Sequence, residues 1–286
     1  MTSIEDSPQT VDPRRNSAGL RRDLELLEVL ASATADGLGV LQVADLVGRD
    51  KGMVSRALAT LAESALVSRD PITRNYRLGY RLYSLAARTF ESHLVHVATP
   101  YLRQLEMATR ETTHLCVLRG GNVLTLASEE SDHDIRGRSW KGLTTAAWQT
   151  PSGRVLLSDW AEDELHQWYE IHGHDPAIIT PTSPNMVMAE SALMDEKNRV
   201  VTDFDSLKTE IDRIRKQGYA TIDEEFESGV VAVSAPIYDS QHRIIAAINV
   251  SAPKPRFGAR LNGAGTITAR IAAEISAAIG TNARDS

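Results

Sequence analysis

The chain is poor in cysteine and aromatic residues, and it has no long hydrophobic run. Its single cysteine, Cys116, excludes an internal disulfide and fits a reducing cytoplasm, which is the expected compartment. Cys116 lies in the apolar run HLCVL and reads as a packing residue. No apolar stretch approaches the roughly 18 residues that a membrane helix needs, so no membrane partner is expected. The opening MTSIEDSPQTVDPRRNSAG lacks the apolar centre of a secretory signal. Its Pro, Ser and Asp content predicts a disordered tail over 1–18. Catalytic signatures are missing too. There is no HExxH and no CxxC, and TPSGR lacks the strand–turn–helix GxSxG of a nucleophile elbow. Neither enzymatic activity nor a cofactor is expected.

Basic charge is also scarce. The chain has 31 Lys and Arg against 38 Asp and Glu, a net charge of -7, which is unpromising for a nucleic-acid binder. The deficit is uneven, however. Residues 1–90 hold 12 basic and 11 acidic side chains, a net +1, and the rest hold 19 and 27, a net -8. DNA affinity depends on local phosphate contacts, so a basic face on a small domain is enough. At about 150 residues per domain, 286 residues suggest two domains.

What is present fits that division. Leu20, Leu24, Leu27 and Leu30 recur at helical spacing before TADGLG breaks the pattern. A short helix, LQVADLV, ends at Gly48. Asp50 is placed to cap the next helix, KGMVSRALATLAESAL. LVSRDPITRNYRLG then reads as a hairpin. Three helices and a hairpin make a winged helix–turn–helix over 19–79. A linker helix is expected over 80–94, with Pro100 breaking the helical stretch that runs to about residue 110. From 95 to 281 the chain reads as α+β, with a mainly antiparallel sheet and helices packed on it. HLCVL and VLTLA flank RGGN as a hairpin. Gly218 ends DFDSLKTEIDRIRKQ, a second hairpin turns around Ser240, and Gly280 ends a last helix with Ile267, Ile271 and Ile275 in line.

The helix from Lys51 has two distinct sides. Val54, Ala57, Leu58 and Leu61 cluster on one, and Gly52, Ser55, Arg56 and Ala59 on the other, flanked by Lys51 and Met53. Arg can bond guanine O6 and N7, Ser can serve base or phosphate, and Lys can neutralise a phosphate. Small Gly52 and Ala59 let a helix sit deep in the groove. The hairpin adds Arg69, Arg74 and Arg77 for phosphates or the minor groove. The alternative is an amphipathic core helix with a solvated face, which the preceding helix and following hairpin argue against. The expected partner is double-stranded operator DNA. Leu20, Leu24 and Leu27 form a stripe that one small domain need not bury, which predicts a homodimer.

Together the residues LQVADLVGRDKGMVSRALATLAESALVSRDPITRNYRLGYRLYSLA resemble the DNA-binding half of the IclR family, named for the isocitrate-lyase regulator. The similarity continues through RVLLSD after a Ser-Gly pair, GYATIDEEFESGVVAVSAPIYD and INVSAPKPRF, and covers about 20–280. Leu41 stands where the family has a Ser or Thr cap, Asp50 where it often has Pro, Gly52-Met53 where it favours Ser-Thr, and Trp148 where it commonly has His. The resemblance implies a ligand-responsive transcriptional regulator, of a catabolic operon, with a GAF-like C-terminal domain and dimers that can pair into tetramers. It also implies a small organic effector, a carboxylate, in a cavity lined by Ile135, Arg138, Ser152, Gly153, Ile222, Asp223, Val230, Ala232, Asn249 and Ser251. Gly153 would offer a backbone N–H at a helix start, and Arg136 or Arg138 would clamp a carboxylate. Trp140 and Trp148 read as core or as an aromatic wall.

One alternative comes from the histidines. His166, His172 and His174 lie close in sequence beside Asp163 and Asp175, and HGHD can bind zinc in a loop. That would make the chain metal-sensing or metal-dependent, although no third ligand follows at a fixed spacing. The acidic run 223–227 reads as a solvated loop.

Overall fold

The structure is a computed structural model that describes residues 13–34, 36–133, 144–174 and 199–282. The chain divides after Thr89 into two compact units.

The first unit holds α1 (Pro13–Ala31), α2 (Val40–Val47), α3 (Lys51–Glu63), a hairpin of β1 (Val67–Arg69) and β2 (Tyr76–Leu78), and α4 (Tyr80–Ala86). Leu26, Leu30, Val43, Val54, Leu58, Leu61, Val67 and Tyr76 form its core. Fully burying an aliphatic such as Leu58 contributes about 1.5–3 kcal/mol. The tight turn between α2 and α3 needs Gly48, whose φ of 64° is left-handed. Arg49 pairs with Glu25 and donates to the carbonyl of Arg22 at 3.0 Å, tying that turn to α1. In the wing, Asp70 Oδ1 accepts from the N–H groups of Thr73 and Ile72, at 2.7 and 2.9 Å. Those bonds hold its carboxyl below the usual range.

Three expectations for this half need correction. Residues 13–18 belong to α1 and not to a disordered tail, because Pro is well tolerated in a first helical turn. The cap position is Gly39 and not position 41, since α2 begins at Val40, with Gln42 Oε1 accepting from the Gly39 N–H at 2.9 Å. The 80–94 segment is not one linker helix. The helix stops at Ala86, and Arg88 and Thr89 bond back only three residues, to Leu85 and Ala86. α4 has no buried residue, so no packing prolongs it.

The second unit begins with α5 (Phe90–Thr109), which runs through Pro100 without a break. Leu94, Ala98, Leu102 and Leu105 bury one side of α5, and that packing outweighs the roughly 3 kcal/mol that an interior Pro costs. A six-stranded, wholly antiparallel sheet follows, in the order β5-β4-β3-β8-β7-β6. Its strands are β3 (Thr112–Arg119), β4 (Asn122–Glu129), β5 (Thr144–Ala146), β6 (Ala220–Asp223), β7 (Val230–Tyr238) and β8 (Ile244–Pro253). The helices are α6 (Pro151–Leu156), α7 (Glu162–His172), α8 (Phe204–Gln217), α9 (Lys254–Phe257) and α10 (Leu261–Asn282), and α10 runs past Gly280.

Alternation sorts the strands between two faces. Leu115, Val117, Val231, Val233, Ile248 and Val250 pack with α5 and α10. Cys116, Val123 and Ala247 pack in a second core with α6, α7 and α8. The fold is α+β, as the sequence implied.

Candidate functional site

The first candidate surface is on α3. Asp50 caps it, with Oδ1 accepting from the Met53 N–H at 3.0 Å. Val54, Leu58 and Leu61 are buried and fix the rotation of the helix. That rotation leaves Lys51, Gly52, Met53, Arg56 and Ala59 exposed and Ser55 half-buried. In the wing, Arg69 lies over the Tyr76 ring at 5.2 Å, with Nε donating to the Arg74 carbonyl. Arg74 sits at the exposed turn with φ 64°. Arg77 is exposed, and its Nε donates to Ser68 Oγ at 3.2 Å. Arg69 and Arg77 are held by local side-chain contacts, and all three arginines are exposed.

The second candidate is a cavity of about 370 Å³ in the second unit, between the sheet and the start of α6. Six expected lining residues meet there: Ser152, Ile222, Val230, Ala232, Asn249 and Ser251. Ser152 shares a hydrogen bond of 3.2 Å with Ser234, which also donates to the Ile248 carbonyl. The side chain of Asn249 is buried at the cavity, with no hydrogen-bond partner among the described residues. An unused amide there is a ready ligand contact.

Two expected lining residues are placed elsewhere. Asp223 is exposed and pairs with Lys254 Nζ at 2.9 Å. Ile222 turns into the cavity, and strand alternation sends its neighbour the other way. Gly153 is buried beside the cavity, but its N–H donates to Thr150 Oγ1 at 3.2 Å, so the helix start is already capped. Its lack of a side chain matters instead, because a Cβ there would run into the carbonyl of Ala147. Ile135 and Arg138 lie outside the described residues, as do Arg136 and Trp140.

Other lining groups were not singled out from the sequence. His114 and Cys116 line the cavity from β3, and their two-residue spacing within HLCVL was the available signal. His114 Nδ1 lies 2.9 Å from Ser128 Oγ and Nε2 3.0 Å from Ser251 Oγ. Burial lowers the His114 pKa to about 4, so the ring is neutral at pH 7. Cys116, expected as packing, is buried and also faces the cavity. Burial pushes its thiol up to about 11, against bonds from Thr125 and Ser152. Thr125 and Thr145 add hydroxyls, and Phe226 and Glu227 form part of the wall. The 223–227 run is thus only partly a solvated loop, since Glu225 turns inward to Arg154.

Each of the three histidines lies against an aromatic ring, and Asp175 lies outside the described residues. His166 packs against Phe204, His172 lies beside Trp168 and His174 beside Tyr169. Among the described residues, no three His, Cys, Asp or Glu side chains are placed to hold a metal ion. Trp148 is buried in the second core, its indole N–H without a partner among the described residues.

Comparisons with known proteins agree with this geometry. Residues 19–71 match the IclR helix-turn-helix domain, and residues 87–277 match the C-terminal domain of the bacterial transcriptional regulator IclR. The chain is 28% identical over 266 residues to the HTH-type transcriptional regulator BhcR of Paracoccus denitrificans, covering 91% of this chain and 88% of the relative. It is 27% identical over 221 residues to KdgR of Escherichia coli, covering 77% of each. Among solved structures, Thermotoga maritima IclR has a TM-score of 0.68 at 23% identity, covering 92% of this chain and 99% of that one. An IclR homologue of Microbacterium hydrocarbonoxydans, complexed with 4-hydroxybenzoate, has a TM-score of 0.68 at 22% identity, covering 93% and 99%. The chain belongs to the IclR family of bacterial transcriptional regulators, with a helix–turn–helix DNA-binding domain at its N-terminal end.

Proposed function

We propose that this regulator responds to a small organic effector held in the cavity of its second unit. One observation carries the reading: a cavity of about 370 Å³, lined by hydroxyls and by an Asn249 amide with no partner among the described residues, lies on the same chain as a DNA-binding domain. That volume falls within the roughly 300–1,000 Å³ of small-molecule sites. Val230, Ala232 and Ile222 offer an apolar wall, and Ser152, Asn249 and Ser251 fix a polar end. The 4-hydroxybenzoate held by the homologue likewise joins an apolar ring to polar groups, a carboxylate and a hydroxyl. The described lining holds no cation to pair with an effector carboxylate. This reading assigns that role to Arg138 or Arg136.

On the DNA side, Arg56 and Ser55 read base edges, with Gly52 and Met53 against the groove. Lys51, Arg69, Arg74 and Arg77 contact phosphates. The protein acts as a homodimer, able to pair into a tetramer, in the cytoplasm. The test is a gel-shift titration on a duplex that the protein selects from a random pool. Arg56→Ala should cost about 1–3 kcal/mol on that duplex and relax its base preference. Unchanged specific binding by the variant would refute the docking.

A further inference from the structure

Residues 224–229 join β6 to β7, and Phe226, Glu227 and Gly229 of this loop line the cavity. Both ends of the loop have left-handed backbone, Glu224 at φ 58° and Gly229 at φ 76°. A non-glycine residue rarely takes that conformation unless its surroundings impose it. Glu224 is held there by the Gly229 N–H, which donates to its Oε1 at 2.9 Å, and by Lys254. The middle of the loop is pinned in another way. Glu225 Oε2 meets Arg154 Nη2 of α6 at 2.8 Å, and the two side chains are only 7% and 3% exposed. Arg154 Nε donates to the Trp148 carbonyl at 3.0 Å, and Nη1 is buried without a partner among the described residues. Desolvation offsets most of the attraction in a buried ion pair, so its net worth to stability is small. Removing one partner is a different matter, because the other charge is then buried alone. Such a pair fixes position strongly, and here the position fixed is that of Phe226 and Glu227.

We propose that loop 224–229 is a gate on the cavity and that the Arg154–Glu225 ion pair is its latch. Arg154 and Glu225 are then positioning residues, which hold Phe226 and Glu227 in the cavity wall. A ligand touching either wall residue binds the closed form better and shifts the gate toward closure. The proposal rests on reading the cavity as a ligand site, but the gate can be tested with no ligand present.

Cys116 is the reporter, because it is the chain's single thiol and lines the same cavity. It is shielded and its thiol is pushed up to about 11, so the closed form should react slowly with N-ethylmaleimide. Glu225→Gln leaves Arg154 unpaired, so the gate should open by a local route and Cys116 label about tenfold faster or more. Local opening also requires that this rate change little in low urea. Phe226→Ala leaves the latch intact and removes part of the wall, and it too should speed labelling. If Glu225→Gln does not fold, as checked by circular dichroism, Glu225→Asp takes its place, because it draws the carboxylate back from Arg154 while keeping its charge. Wild-type rates in the folded variants overturn the gate. So does an acceleration that climbs with urea as steeply as global unfolding. Failure to find any cavity ligand would instead overturn the effector reading and leave the labelling result standing.

Discussion

Lowering the pH should weaken this fold through His114 in particular. The ring is buried between Ser128 and Ser251, and its pKa falls from 6.5 in the unfolded chain to about 4 in the folded one. Above about pH 8 neither state is protonated, and His114 contributes no pH dependence. As pH falls through 6.5 the unfolded chain takes up the proton while the folded one does not, so stability declines. The decline continues until about pH 4, where the folded state is protonated too. Across that window the gap is worth about 3 kcal/mol, at about 1.4 kcal/mol per pH unit. The assay is urea unfolding at a series of pH values, for the wild type and for His114→Gln. The variant should be less stable at pH 7, through lost packing and hydrogen bonds, and its stability should fall less steeply between pH 6.5 and 4. Equal slopes in the two proteins would show that the ring is hydrated or already paired in its charged form, and that the cavity wall at His114 is not neutral.

Three further outcomes follow from the geometry. Lys51→Ala should weaken all duplexes alike and lower the slope of log affinity against log salt by about 1 for each protomer bound; an unchanged slope in a salt titration would remove Lys51 from the phosphates. Replacing both Leu20 and Leu24, which are 63% and 49% exposed, with Asp should turn a dimer into a monomer by light scattering; a wild type that is monomeric with and without DNA would refute the dimer. Gly153→Ala should cost about 1–3 kcal/mol in urea unfolding, because its Cβ must displace the Ala147 carbonyl; full stability would mean that this turn yields freely.

The parts of the fold legible in the sequence were those governed by local rules. The buried and exposed sides of α3 followed from the spacing of Val54, Leu58 and Leu61, and its start from Asp50. The RGGN turn followed from its glycines, and Gly120 takes a φ of 61°. The parts misread depended on packing between distant residues. Pro100 looks like a breaker until the side of α5 below it is seen to be buried. The 80–94 stretch looks like one helix until α4 proves to bury nothing.

The cavity was legible only in part, for a related reason. Ser152, Asn249 and Ser251 entered through family resemblance, and they line the cavity from α6 and β8. Asp223 was misplaced because the resemblance took two neighbouring strand residues into one wall, which alternation forbids. His114 was hidden within an apolar run. Glu225 and Arg154 are 71 residues apart, and nothing local announces that an acidic surface run sends one carboxylate inward.

The central claim is that one chain couples a small molecule to DNA, and reciprocity tests it most directly. If the ligand changes affinity for the duplex, the duplex must change affinity for the ligand by the same factor. The measurement is calorimetric titration, with and without the selected duplex, of a small molecule chosen because it raises the melting temperature of the full chain. The account predicts ligand affinities that differ between the two titrations by roughly 5- to 150-fold, matched by the ligand's effect on DNA binding. Equal ligand affinity in both would contradict it, because a ligand that binds both states alike shifts neither.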